Sequence, residues 1–179
     1  MTPAVQMLCL EALTESVSEV GDTVLGGLPV ELLAPIEIGA GHGAYVGLVA
    51  QDEPIQVGIF VEGNGCQALA KALLGMEPGD EDLPPPDVGD AMCEIINIIA
   101  GGLKRRVNDR MPVTMGLPMF VSGQPLPNQQ QSLSARSVKI GPASARVLLL
   151  TQKSDALPVS RSGVATQAAE QKSAKERSA

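Results

Sequence analysis

A row of polar and small residues lies along one side of a predicted helix in the middle of the chain. With steps of about 100° per residue, Asp90, Glu94, Asn97 and Gly101 fall on one arc of the helix 87–108. A carboxylate and a carboxamide offer hydrogen-bonding groups to a partner or substrate, and a glycine one turn later lets another backbone approach. Such pairs also recur by chance on solvated helix faces. The row predicts a contact face, although its spacing alone is a weak signal.

Two members of the row are unusual inside a helix. An asparagine side chain competes for backbone hydrogen bonds, so Asn97 needs a reason to be there. Gly101 costs about 1 kcal/mol relative to alanine, although close packing of the helix on a sheet would explain both Gly101 and Gly102. Asp90 has an ordinary explanation, because a carboxylate near a helix start contributes about 0.3–1 kcal/mol. The functional interpretation therefore depends most on Asn97 and Gly101.

The remainder of the helix predicts how the row is held. The opposite arc is apolar and predicts a core-facing stripe, formed by Val88, Met92, Ile95, Ile96, Ile99, Leu103 and Val107. Asp87 is the predicted N-cap, after a stiff, extended, proline-rich link over 76–87. Arg105 and Arg106 are expected to complement the helix dipole and to stay solvated.

The other segments predict an α+β domain. Helical spacing extends over 3–26 and 64–74, and strand-like runs occupy 30–38, 44–50, 55–62, 113–122, 134–140 and 145–152. Pro118 predicts that its strand either contains a bulge or lies at the edge of the sheet. Because most strands follow one another directly, we expect a two-layer domain. In it a largely antiparallel sheet packs against helices, in the order α-β-β-β-α-α-β-β-β.

Composition argues against several classes of function. A net charge of −7 and an aromatic content of 2% disfavour nucleic-acid binding. Three cysteines without paired spacing, together with no signal peptide, predict a reduced cytoplasmic chain, and no apolar run is long enough to insert into a membrane. His42 is the single histidine, and its glycine-rich segment 39–43 predicts a turn at a strand edge rather than a catalytic or metal site.

The composition changes near Lys153. Residues 153–179 are rich in Ser, Ala, Gln and Lys and contain few large apolar side chains. Such a segment cannot bury enough surface to offset the entropy of ordering it. The sequence therefore predicts a domain over 1–152 and a disordered tail over 153–179.

The central helix and its neighbours resemble a known family. The segment DAMCEIINIIAG, from Asp90 to Gly101, followed by GLKRRV, resembles the signature helix of the CheC/CheX/FliY chemotaxis phosphatases. FVEGNGCQALAKALLGMEPGDED and VTMGLPMFVSG resemble the family's elements before and after that helix, and the resemblance covers about residues 5–152. The first helix offers Glu11-x-x-Thr14 and Glu15-x-x-Ser18 but no Glu-x-x-Asn, so the chain resembles CheX more than CheC.

The resemblance implies a CheX-like enzyme that hydrolyses the aspartyl phosphate of a CheY-type response regulator. In such an enzyme Asn97 would orient the attacking water and Glu94 would pair with a lysine of the regulator. Asp90 and Gly101 would contact the partner. The chain would need no cofactor, because Mg²⁺ would belong to the regulator.

The resemblance also implies a homodimer that pairs through sheet edges, with the terminal hairpin as the candidate edge. One alternative is the same fold acting as a non-catalytic interaction module that binds a regulator or a flagellar-switch-like partner. A small-molecule enzyme built around 39–43 is a third interpretation with little support.

Overall fold

The computed structural model describes residues 1–35, 40–50, 52–123 and 126–153. Part of the predicted strand 30–38, part of the predicted turn 39–43 and the predicted tail from residue 154 onward lie outside these ranges. The described residues form helices α1 (Pro3–Thr23), α2 (Gly65–Leu73) and α3 (Pro85–Val107) and strands β1 (Val30–Leu32), β2 (Gly41–Ala50), β3 (Glu53–Val61), β4 (Val113–Gly123), β5 (Gln131–Ile140) and β6 (Ala143–Gln152).

The strands form one sheet in the order β1-β5-β6-β3-β2-β4, and every neighbouring pair is antiparallel. The predicted α+β class and the predicted order of elements are confirmed. The helices pack on one face of this sheet, where alternate strand residues such as Val57, Ile59 and Val147 are fully buried. The opposite face carries a smaller apolar cluster of Phe60, Leu148 and Leu150, against which Tyr45 and Leu133 pack.

The edges of the sheet are β1 and β4. Pro118 lies in the edge strand β4, and the pairing of β4 with β2 shifts register between Val46 and Leu48, so both expectations for this proline are confirmed. The predicted candidate edge, the terminal hairpin, is not the outermost element in the order observed, although β1 covers only part of its strand β5. Strand β6 lies between β5 and β3, and the last three residues of β5 pair with β1. The homodimer stays a prediction.

The start of α3 differs from the sequence prediction. The helix begins at Pro85 with Pro84 as its N-cap, and Asp87 lies in the first turn instead of capping it. Proline lacks an N–H, but the first N–H groups of a helix have no partner within it, so Pro85 and Pro86 fit there. The extended link therefore ends before the last two prolines, and the helix is longer than expected.

Two predictions near the second strand also need correction. His42 lies inside β2 and pairs with Val61 of β3 and Ser122 of β4, so it does not occupy a turn. Glycines are tolerated there because the side chains of neighbouring strands cover their backbone, as Phe60 does at Gly43. Strand β1 is shorter than predicted and ends at Leu32, before Pro35, which has no N–H for a ladder.

Candidate functional site

The α3 helix is held from one side over most of its length. Its apolar stripe is buried against α1, α2 and the sheet, and five of its large side chains are completely inaccessible: Met92, Ile95, Ile96, Ile99 and Leu103. Close packing on this scale fixes the helix axis and its rotation. The groups on the outer arc of α3 are therefore presented in a fixed direction.

The predicted row lies on that outer arc. Asp90 and Glu94 are exposed, while Asn97 and Gly101 are half-buried, so the structure brings all four to one accessible face. Within the described ranges, no hydrogen bond or ion pair engages the side chain of Asp90, Glu94 or Asn97. The fold itself does not use these polar groups, and they are available to another molecule.

The two adjacent glycines of α3 have different environments. A Cβ atom at Gly102 would lie 2.6 Å from Oγ and 2.8 Å from Cβ of Ser16, so this glycine lets α1 approach α3. Gly102 therefore packs against helix α1. The sequence predicted packing against the sheet for this glycine. A Cβ atom at Gly101 would meet nothing within 4 Å. Packing within the described residues therefore does not explain Gly101, whose Cβ position faces open space.

One margin of the face is a bridge to α1. Arg106 contacts Glu15 at 3.2 Å and Glu19 at 2.9 Å, and Arg105 contacts Glu19 at 3.3 Å. The nearby Arg106 lowers the pKa of the Glu19 carboxyl below its ordinary value. Arg105 and Arg106 lie in the last turn of α3 and are exposed, as the sequence predicted, and they also pair with carboxylates of α1.

The other margin is formed by β4. The Phe120 ring packs against Gly89, where a Cβ atom would lie 3.3 Å from the ring. His42 stacks on the same ring, with centroids 6.1 Å apart and planes within 8°, and its Nδ1 lies 2.8 Å from Ser122 Oγ. The exposed imidazole is therefore held by two contacts at the edge of the site.

Cys93 lies between Phe120 and the row. Burial, followed by the charge of Asp90, raises the pKa of its half-buried thiol, which keeps the thiol protonated at neutral pH. Sequence reasoning treated Cys93 only as a free cysteine. Its position one turn before Asn97 was the available signal that it borders the site.

Neither a metal centre nor a membrane span is found in the part of the chain that the structure describes. No three His, Cys, Asp or Glu side chains are grouped there in a way that could hold a metal ion. No helix there is both long enough and apolar enough to cross a membrane.

The family model described as chemotaxis phosphatase CheX matches residues 44–139. This range includes β3, α2, α3, β4 and most of β2 and β5, and so the whole predicted row. No curated protein matches the chain.

Solved structures with the same fold include several chemotaxis proteins. CheX from Vibrio vulnificus is 21% identical, with a TM-score of 0.65 over 79% of this chain and 94% of that chain. CheX from Desulfovibrio desulfuricans is 17% identical, with a TM-score of 0.68 over 80% and 99%. A CheX–CheY–BeF₃–Mg²⁺ complex from Borrelia burgdorferi is 16% identical, with a TM-score of 0.59 over 79% and 95%.

Flagellar proteins share the fold at lower identity. FliY from Thermotoga maritima is 12% identical with a TM-score of 0.58, and the FliM middle domain from H. pylori is 9% identical with a TM-score of 0.55. At these identities the structural likeness establishes the fold, and the family model carries the assignment. The chain belongs to the CheC/CheX/FliY family of chemotaxis phosphatases.

Proposed function

We propose that this protein hydrolyses the aspartyl phosphate of a CheY-type response regulator that docks on the outer face of α3. The observation that carries the proposal is the free polar row on a helix whose other side is buried. Side chains that are already in place lose little freedom on binding, so they can act on a partner without rearrangement. The CheY in the Borrelia burgdorferi complex supports a partner of this class.

Asn97 is the proposed catalytic residue. Phosphoryl transfer to water requires the water to lie in line with the bond that breaks, and it requires the charge on the phosphoryl oxygens to be neutralised. The carboxamide oxygen can accept a hydrogen bond from the water, and the carboxamide nitrogen can donate a hydrogen bond to a phosphoryl oxygen. Water attacks phosphorus, the bond to the aspartyl oxygen breaks, and inorganic phosphate and a free aspartate result.

The regulator supplies what the row lacks. In the proposal its Mg²⁺ neutralises the transferred group, which is consistent with the Mg²⁺ in the Borrelia burgdorferi complex. No residue of this chain then needs to bind a metal or to change its protonation state. The free thiols Cys9, Cys66 and Cys93 fit a reduced compartment, and we place the reaction in the cytoplasm.

The other members of the row are proposed docking groups. Glu94 lies one turn before Asn97, where its exposed carboxylate could pair with a lysine of the regulator and set the register of docking. Asp90 lies a further turn toward the helix start and has no internal partner among the described residues. Gly101 leaves space for the partner's backbone, since nothing lies within 4 Å of its Cβ position.

A second candidate function is docking without catalysis. The FliM middle domain has the same fold, so the fold alone does not require an enzyme. Both functions would use the exposed face of α3. The carboxamide of Asn97 favours hydrolysis, because a purely adhesive face has no need for a half-buried amide without an internal partner.

The two functions are separated by measuring phosphate loss and binding for the same variants. We expect Asn97→Ala to slow dephosphorylation of a phosphorylated CheY-type regulator by about 10²-fold, as removal of one transition-state donor does elsewhere. Binding of the phosphorylated regulator should change much less. The control is Asn108→Ala, which removes another exposed asparagine at the C-cap of the same helix. A wild-type protein that binds the regulator without accelerating phosphate loss would establish the docking module instead.

A further inference from the structure

His42 is the only histidine of the chain, and the fold places it on the same side of the sheet as α3. Side chains alternate between the two faces of a strand. The next residues of that alternation, Ala44 and Val46, are buried in the core between the sheet and the helices, so His42 points toward the helical layer. Unlike them, it is exposed. Its imidazole therefore lies in solvent beside the helices.

The imidazole borders the first half of α3. It stacks on the Phe120 ring, which packs against Gly89, the residue before Asp90. A backbone group of Phe120 also hydrogen-bonds to the Cys93 thiol. Asn97 lies about 12 Å along the helix axis from Gly89, so the imidazole is remote from the group proposed to act on the phosphate. A specific interface covers on the order of 800 Å² of each partner, which is enough to include both.

Two contacts hold the imidazole in one orientation. Its Nδ1 lies 2.8 Å from Ser122 Oγ, and its plane is within 8° of the Phe120 ring. These contacts use one nitrogen and one face of the ring. The other nitrogen, Nε2, has no partner within the described ranges of the chain. A polar atom that is already held in place loses little side-chain freedom when it binds a partner.

We propose that Nε2 of His42 donates a hydrogen bond to an acidic side chain of the docked regulator. This inference rests on the proposed function, because it uses the same docking of the regulator on α3. The Ser122 hydroxyl donates to Nδ1, which leaves the ring proton on Nε2, and a protonated imidazole carries a proton on Nε2 as well. Both forms direct an N–H outward, and a carboxylate is a strong acceptor for it.

The start of α3 is otherwise unfavourable for an acidic partner. Asp87 and Asp90 are exposed there, and their charge repels a second carboxylate. Pro85 and Pro86 form the first two positions of the helix, and they lack the N–H groups that a helix start usually offers to an anion. The arginines at the other end of α3 lie more than about 20 Å away along the axis. The imidazole of His42 therefore determines whether an acidic side chain is accepted at this end of the face.

The test measures binding and phosphate loss separately. Binding is measured with a CheY-type regulator loaded with BeF₃ and Mg²⁺, a phosphoryl analogue that is not hydrolysed. Phosphate loss is measured with the same regulator phosphorylated by acetyl phosphate. We expect His42→Ala to raise both the Kd and the KM about tenfold, because a hydrogen bond to a charged group is lost. The kcat should change less than about twofold, because the imidazole does not contact the reacting atoms.

Two further variants separate the hydrogen bond from a merely structural role. The amide nitrogen of His42→Gln can reach the position of Nε2, whereas that of His42→Asn reaches only the position of Nδ1. We expect His42→Gln to bind within about twofold of wild type and His42→Asn to bind as weakly as His42→Ala. The control is Gln56→Ala, which removes an exposed polar side chain from the opposite face of the sheet and should bind like wild type.

The outcomes distinguish this inference from the proposed function. Equal Kd values for wild type and His42→Ala, with phosphate loss accelerated by both, would overturn the inference and leave hydrolysis in place. Equally weak binding by His42→Gln and His42→Asn would also overturn it, since the loss of ring packing would then explain the effect. A wild-type protein whose binding depends on His42 in the expected order, but which does not accelerate phosphate loss, would support the inference and overturn hydrolysis alone.

Discussion

Helices α1 and α3 are both long, lie side by side on the same face of the sheet, and carry carboxylates on their outer arcs. On α1 several of the polar groups are used by the protein itself. Thr14 donates its hydroxyl to the carbonyl of Leu10 at 2.8 Å, and Ser18 donates to the carbonyl of Thr14 at 3.4 Å. Glu15 and Glu19 pair with arginines of α3. On α3 the row from Asp90 to Gly101 has no such internal partner in the described part of the chain.

The difference shows how similar spacing can have different consequences. Glu11-x-x-Thr14 on α1 and Glu94-x-x-Asn97 on α3 have the same period, but a threonine hydroxyl can bond back to its own helix. The half-buried carboxamide of Asn97 makes no such bond within the described residues. The chain therefore has one face prepared for a partner and one face that supports it.

The largest effect on stability is expected at the contact between the two helices. Gly102→Ala would place a methyl group 2.8 Å from Ser16 Cβ, which should destabilise the fold by about 1–2 kcal/mol after allowing for the helix preference of alanine. Urea denaturation measures the change. Gly101→Ala is the matched control, and we expect it to stabilise by up to about 1 kcal/mol while weakening regulator docking. Equal destabilisation by both would contradict the assignment of the two glycines.

A smaller effect is expected from the carboxylates. Glu94→Gln should raise the KM for the phosphorylated regulator about tenfold with a smaller change in kcat, because an exposed docking pair is lost. Glu11→Gln removes the same charge from an exposed position on α1. Steady-state phosphate release measures both, and similar KM values for the two variants would mean that only overall charge matters.

The smallest effect concerns the ion pairs that join the helices. Arg106 lowers the pKa of Glu19 below its ordinary value of 4.5, so the pair favours the folded state above that value and the benefit is lost as pH falls through the lowered pKa. Arg106→Gln should therefore move the Glu19 pKa upward. An NMR titration of the Glu19 carboxyl tests this, and an unchanged pKa would contradict the contact. Because Glu19 is exposed, we expect little change in stability at neutral pH.

Sequence periodicity correctly predicted the helices, the sequential order of helices and strands along the chain, and the outer arc of α3, because these depend on local spacing. It failed where the answer depended on distant residues. The partners of Arg105 and Arg106 lie on α1, about 90 residues away, and the role of Gly102 depends on Ser16. The start of α3 was placed too late because prolines were treated as helix breakers, although the first turn accepts them.

The catalytic role of Asn97 is tested most directly by single-turnover phosphate loss at a saturating concentration of this protein, which removes differences in docking. Asn97→Ala is compared with Thr14→Ala, the residue at the corresponding position of the α1 pattern. We predict that Asn97→Ala slows the reaction by about 10²-fold, while Thr14→Ala leaves it at the wild-type rate. Equal rates for wild type and Asn97→Ala would contradict the proposal that the α3 face performs the hydrolysis.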